Sequence, residues 1–194
     1  MHTFSEQESL AVIREMLHKS RKNTKDSAIY YLIWGWVILI SVIIEYILIQ
    51  IDYEWHFAIW ILSSIVGVGA SIRAGRQQKK INQTTTHFDK AMVSVWSGFG
   101  MLMAILIMGG LTMGLSWGEI YVGMIALVGS TTFVSGKILE FAPIQYGGLA
   151  SFALSFLTLF LGWHQHFPTM LLCIGLAMIF SNLIPGYILK RKIS

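Results

Sequence analysis

The chain has 194 residues, of which 55% are hydrophobic and 12% are charged, and its mean hydropathy is +0.63. Soluble globular domains carry about a quarter charged residues, so this composition excludes an ordinary soluble domain and indicates an integral membrane protein. The net charge of +4 fits a basic rim against anionic lipid. Because the sequence has no recognised nucleic-acid motif, we expect no nucleic-acid partner.

Residues 1–27 are polar and predict a short cytoplasmic amphipathic helix followed by a basic linker. Ser5-Glu-Gln-Glu8 has the pattern of a capping box, and Leu10, Ile13 and Leu17 recur at helical spacing. This stripe suits a helix on the membrane surface, packing on the protein's own loops, or docking of another protein. The basic side chains expected to contact anionic lipid headgroups are Lys19, Arg21, Lys22 and Lys25.

Residues 28–194 contain six apolar runs, each near the length of about 20 residues that a helix needs to cross a bilayer. The predicted fold is therefore all-α, a polytopic bundle of six transmembrane helices. The predicted spans are 28–51, 56–72, 91–115, 120–136, 146–163 and 169–189. All 14 basic side chains fall on one side of such a bundle, with both termini, so the positive-inside rule places the termini in the cytoplasm.

The odd spans begin alike, with Trp34-Gly-Trp36, Trp96-Ser-Gly-Phe-Gly100 and Tyr146-Gly-Gly148. This similarity indicates three tandem helical hairpins, although aromatic belts alone produce part of the match. Small residues at every fourth position also form stripes, which allow helices to approach closely in lipid. Packing within the bundle and a homo-oligomer interface both explain these stripes, which are Ser63/Gly67/Ser71, Gly110/Gly114/Gly118 and Gly147/Ser151/Ser155.

Pro185 lies inside the sixth predicted span, where a proline kinks a helix or loosens its end. We expect this disturbance near Asn182.

Glu45 is the only acidic residue well inside a predicted span, about 9 Å below its outer end. An ionised carboxylate in the hydrocarbon core costs about 2.5–3.5 kcal/mol on insertion scales. No lysine or arginine lies in any span, and His56 is at a plausible depth to be a partner. Three explanations stay open: a proton or cation site formed with His56, a protonated carboxyl hydrogen-bonded within the bundle, and an oligomer contact.

The outer loops carry carboxylates and imidazoles that form a candidate outer vestibule: Asp52, Glu54, Glu119, His164 and His166. These groups can bind divalent metals, but their spacing matches no recognised metal motif, so we predict no metal and no cofactor. The zinc-protease, nucleophile-elbow, phosphate-loop and dinucleotide motifs are absent as well.

The sequence therefore favours a small non-enzymatic membrane protein that acts through interaction or oligomerisation. The alternative is a transporter or channel for protons, cations or a small solute that uses Glu45 and the outer vestibule. An intramembrane enzyme, which could use scattered single residues, is the least favoured class.

Three segments resemble a group of uncharacterised bacterial six-helix membrane proteins. They are Tyr31-Leu-Ile-Trp-Gly-Trp36, Ser135-Gly-Lys-Ile-Leu-Glu-Phe-Ala-Pro143 leading into Gly147-Gly148, and Asn182-Leu-Ile-Pro-Gly-Tyr-Ile-Leu-Lys190. The resemblance implies a multi-pass protein of a bacterial cytoplasmic membrane, and it implies no substrate.

Overall fold

The computed structural model describes the backbone of residues 6–81 and 87–192 and the side chains of residues 27–78 and 89–191. Throughout these residues the regular structure is helical. The elements are α1 (Glu6–Gln50), α2 (Ala58–Ile81), α3 (His87–Thr112), α4 (Trp117–Ile138), α5 (Ala142–Phe160), a 3₁₀ turn (Trp163–Gln165), α6 (Phe167–Met178), a π-helical segment (Ile179–Leu183) and α7 (Ile184–Lys192).

Six helices of the described chain are long and apolar enough to cross a membrane, which confirms the predicted all-α bundle of six spans. The sixth is built from α6, the π segment and α7 together. The spans are Ser27–Gln50, Ala58–Gln78, Asp89–Thr112, Trp117–Ile138, Ala142–Phe160 and Phe167–Arg191. The second span is longer than predicted because its helix continues past Ile72 into basic residues, whose long side chains can reach out of the apolar layer.

The first helix spans the region in which the sequence predicted an N-terminal helix followed by a linker. From Glu6 onward α1 is one continuous helix of 45 residues. No glycine or proline occurs before Gly35 to interrupt it. Ser5 of the expected capping box lies outside the described residues, as do the side chains of the stripe and the predicted headgroup contacts: Leu10, Ile13, Leu17, Lys19, Arg21, Lys22 and Lys25.

The helices α4 and α5 pack together more extensively than any other described pair. A Cβ atom on Gly129 would lie 2.6 Å from the backbone nitrogen of Phe152, so the two backbones are in direct contact there. This approach lets the Ser155 hydroxyl donate a hydrogen bond to the Val122 carbonyl at 2.9 Å. Close helix contact in a membrane thus depends here on glycine and serine at the interface.

The small-residue stripes contact other helices of the same chain. Ser151 on α5 donates to the Ala177 carbonyl at 3.0 Å, and Gly147 lies against the carbonyl of Phe180. On α2, a Cβ at Gly67 would meet the Trp34 ring of α1. Homo-oligomerisation stays a prediction.

Helices α1, α4, α5 and the sixth span form the centre of the bundle. Helix α2 packs on α1, and α3 packs on α4. The successive pairs of the expected tandem hairpins are therefore in contact, but the most extensive pair, α4 with α5, belongs to two different hairpins.

The π segment lies directly before Pro185 and includes Asn182, which confirms the expected disturbance in the sixth span. The Ile184 amide donates to the Ile179 carbonyl, five residues earlier. At that spacing the carbonyl of Phe180 would pair with position 185, where proline has no N–H to donate.

Candidate functional site

The end of α1 determines how the chain returns toward Glu45. Asp52 has a φ of 52°, in the left-handed region. The Tyr53 amide donates to the Leu48 carbonyl and the Asp52 amide to the Ile49 carbonyl, at 3.0 and 3.1 Å, which is the Schellman pattern of helix termination. Aspartate tolerates the left-handed conformation better than most residues. The turn reverses the chain and directs residues 53–57 back over the end of α1.

Glu45 lies in the last turns of α1 and is completely buried, with 0% of its surface exposed. Its Oε1 atom is 3.1 Å from Nδ1 of His56, and its Oε2 atom accepts a hydrogen bond of 2.6 Å from Nε1 of Trp60. The imidazole is 32% exposed, so it connects the buried carboxylate to the surface. Both carboxyl oxygens therefore have partners from the α1–α2 loop and the start of α2.

Two hydroxyl groups lie at the α1–α2 interface one helical turn before Glu45, toward the end of the bundle that carries the basic residues. Ser41 of α1 and Ser63 of α2 are buried and in contact with each other. Ser41 is also within 2.7 Å of the Val37 carbonyl, and Ser63 within 2.5 Å of the Ile59 carbonyl. The interface between α1 and α2 therefore carries polar side chains from Glu45 to Ser41.

Aromatic rings enclose the other side of the site. The Tyr121 ring of α4 lies 6.1 Å from that of Trp60 and 5.6 Å from that of Phe167, measured between centroids. The Phe167 ring is in turn 6.0 Å from the imidazole of His56. Three separate elements therefore cover the carboxylate with apolar surface, which lowers the local dielectric and strengthens the remaining polar contacts.

Glu45 and His56 can share one proton at their contact. The Trp60 indole can only donate, so Oε2 is an acceptor. Between Oε1 and Nδ1, either a protonated carboxyl donates to the imidazole or an imidazole N–H donates to the carboxylate. The pair can therefore be neutral with a single proton in either place, which suits an enclosed site in a membrane.

The outer-vestibule residues separate into two groups. Glu119 and His164 line a common open pocket of about 560 Å³, together with Trp117 and Phe167. Glu119 is also engaged in a capping box at the start of α4, where its Oε2 accepts from the Ser116 amide at 2.7 Å.

The other three predicted residues do not line that pocket. Asp52 terminates α1, Glu54 is exposed in the loop, and His166 precedes α6 without capping it through its side chain. Among the described residues, no group of three or more His, Cys, Asp or Glu side chains could hold a metal ion.

Trp60 is the contact that the sequence did not predict. Tryptophan near a span end is ordinarily an interfacial anchor, and the sequence offers that explanation for all 7 tryptophans. The available signal was its position four residues after His56, one helical turn into the predicted second span.

Comparison of the chain with protein-family models, with curated proteins and with solved structures finds no match. The geometry of the site is therefore the basis for assigning a function.

Proposed function

We propose that this chain is a proton channel or proton transporter of a membrane and that its proton-binding site is the Glu45–His56 pair. The observation that supports this proposal is a fully buried carboxylate 3.1 Å from an imidazole that is one-third exposed. A buried carboxylate without lysine or arginine nearby needs a proton or a cationic partner, and an accessible histidine supplies either. Intramembrane ionisable residues commonly belong to proton or ion pathways.

The pair works as a proton acceptor in two parts. A proton from water first binds the exposed edge of the His56 ring. At the contact between Nδ1 and Oε1, the imidazole then either transfers its Nδ1 proton to Glu45 or stays protonated and donates a hydrogen bond to the carboxylate. Trp60 keeps Oε2 oriented in both states because an indole N–H can donate to a carboxylate or to a neutral carboxyl oxygen. The other titratable groups around the site are Tyr46, Tyr121 and Cys173 in the surrounding cluster, and Asp52 and Glu54 on the loop.

The orientation of the chain in the membrane, and the membrane that contains it, are also part of the proposal. We call the end of the bundle formed by residues 51–57, 113–116 and 161–166 the acidic face, and the opposite end the basic face. By the positive-inside rule the basic face is cytoplasmic, so His56 would exchange protons with the outer compartment. The resemblance to bacterial six-helix proteins favours a bacterial cytoplasmic membrane.

The second candidate is a protein that acts through interaction, and a specific observation favours it. Both oxygens of Glu45 have partners, and the side chain has no exposed surface. In that case the pair is a structural link between α1 and α2, and the apolar outer faces of α2 and α3 contact lipid or another protein.

Proton flux in liposomes distinguishes these candidates. The purified protein is reconstituted with a pH-sensitive dye inside the vesicles, and a proton gradient is imposed with valinomycin present. We expect flux in the wild type and its loss in Glu45→Gln. Glu140→Gln is the matched control, because Glu140 is an exposed acid at the opposite end of the bundle. Equal flux in the wild type and Glu45→Gln, or none in either, would overturn the transport proposal.

A further inference from the structure

Buried polar residues separate two apolar clusters in the centre of the bundle. The cluster toward the acidic face is formed around Val42, Ile125 and Ile174, and the cluster toward the basic face around Leu139 and Leu189. Between them, the helices present buried hydroxyl and amide groups instead of aliphatic ones. These residues are Thr132, Ser135, Ser151, Ser181 and Asn182.

Three hydroxyls at this level have no hydrogen-bond partner among the described residues: those of Tyr31, Thr132 and Ser135. Their exposed fractions are 3%, 0% and 0%. The Tyr31 side chain packs in the cluster with Leu139, one turn after Ser135 on α4, and Thr132 is one turn before Ser135. The three hydroxyls therefore lie at one level of the bundle, where the Tyr31 side chain of α1 meets α4.

Neighbouring polar groups in the same layer do have partners. Ser151 and Ser181 both donate to the Ala177 carbonyl, and Asn182 donates to Ser181. An unpaired buried hydroxyl costs about 1–3 kcal/mol, so native proteins pair such groups with protein or with ordered water. Three unpaired hydroxyls in one place indicate a site whose ligand is hydrogen-bonding and small.

The helix beside this layer is irregular. The π segment Ile179–Leu183 contributes Ser181 and Asn182 to the layer, and π segments frequently occur at functional sites. On α7, Gly186 lies against the Cβ atom of Tyr31, which allows α7 to approach α1 closely at this level.

We propose that Tyr31, Thr132 and Ser135 form a buried water-binding site. Glu45 is the only ionisable carboxylate or amine among the buried residues of the described chain, so nothing in this layer balances the charge of an ion. A neutral ligand fits, and each hydroxyl can both donate and accept. Buried waters typically make about three hydrogen bonds to otherwise unpaired groups, which matches the number of oxygens here.

Thermal unfolding in detergent tests the water site itself. Thr132→Val removes one hydroxyl without changing the shape of the side chain, and Thr131→Val is the matched control at the adjacent, partly exposed position. With water present, we expect a lower unfolding temperature for Thr132→Val than for the control, because the water loses a partner. In a dry site, the same change removes an unpaired hydroxyl and raises the unfolding temperature, which would overturn the proposal.

Radiolytic hydroxyl labelling of the intact protein is the second measurement, because side chains beside ordered water are modified. We expect labelling of Tyr31 in the wild type and protection in Thr132→Val and in Ser135→Ala. Absence of Tyr31 labelling in the wild type would contradict the water site. Flux equal in the wild type and Glu45→Gln would remove the transport proposal and leave the water site intact.

Discussion

Nδ1 of His56 lies 3.1 Å from Oε1 of Glu45, although the two residues are 11 positions apart and separated by the end of a helix. Trp60, on the next helix, donates its indole N–H to the second carboxyl oxygen of Glu45. A single buried acid is thereby connected to the surface through one titratable ring.

Replacing Glu45 with glutamine should preserve the fold and remove the proton site. The glutamine carbonyl can still accept from Trp60 and its amide can donate to His56, so both contacts have replacements. Infrared difference spectroscopy between acidic and alkaline buffer should show a protonated-carboxyl band in the wild type that Glu45→Gln lacks. The same band should persist in Glu54→Gln. A band unchanged in Glu45→Gln would mean that another carboxyl titrates.

Trp60→Phe should destabilise the protein by about 1.5–3 kcal/mol, the usual contribution of a hydrogen bond to a charged group. The phenyl ring keeps an aromatic contact with Tyr121, so the loss reports mainly the missing N–H donor. Denaturant unfolding in detergent micelles measures the change in free energy of unfolding. Trp55→Phe, at an exposed position on the same loop, is the control and should change the free energy by about 0.5 kcal/mol or less. Equal losses in both variants would contradict a specific role of the Trp60 indole.

Asp52→Val should destabilise the turn that brings His56 to Glu45. Residue 52 has a φ of 52°, which costs a β-branched residue about 1–2 kcal/mol. Asp52→Gly should be tolerated, because glycine adopts this conformation without strain. Proton flux should follow stability, falling in the valine variant and persisting in the glycine variant. Loss of flux in both would show that the charge of Asp52 matters, as a vestibule role requires.

Gly129→Ala should destabilise the α4–α5 contact by about 1–3 kcal/mol, a typical cost of overpacking. The new methyl would lie 2.6 Å from the backbone nitrogen of Phe152, and a backbone cannot move aside as a flexible side chain can. Gly100→Ala on α3 is the control, since a Cβ there has nothing within 4 Å. Alanine at that position should be neutral or stabilising by up to about 1 kcal/mol. A neutral Gly129→Ala would show that α4 and α5 tolerate a wider separation.

Several parts of the fold were accessible from the sequence because hydropathy and charge act through solvation, residue by residue. The six spans and the place of Glu45 inside the first span follow from where apolar residues accumulate. The disturbance before Pro185 follows from one missing N–H. The continuity of α1 did not follow from the sequence. The polar first residues indicated a separate element, although nothing in their local sequence ends the helix.

The partners inside the bundle required the tertiary structure. His56 was a candidate on depth alone, whereas Trp60 joined the site because α2 begins close to the end of α1. Gly129 and Gly148 do not occur in the predicted stripes, yet they bring α4 and α5 into backbone contact.

From the sequence alone it follows that this is a six-span membrane protein with its basic residues at one end and one acid inside a span near the other. The contacts of that acid, and the described hydroxyls that have no partner, depend on the tertiary structure. The reason is that the rotation of each helix about its axis, and the approach of neighbouring helices, depend on how all six pack together. Hydropathy along a single span does not determine either quantity.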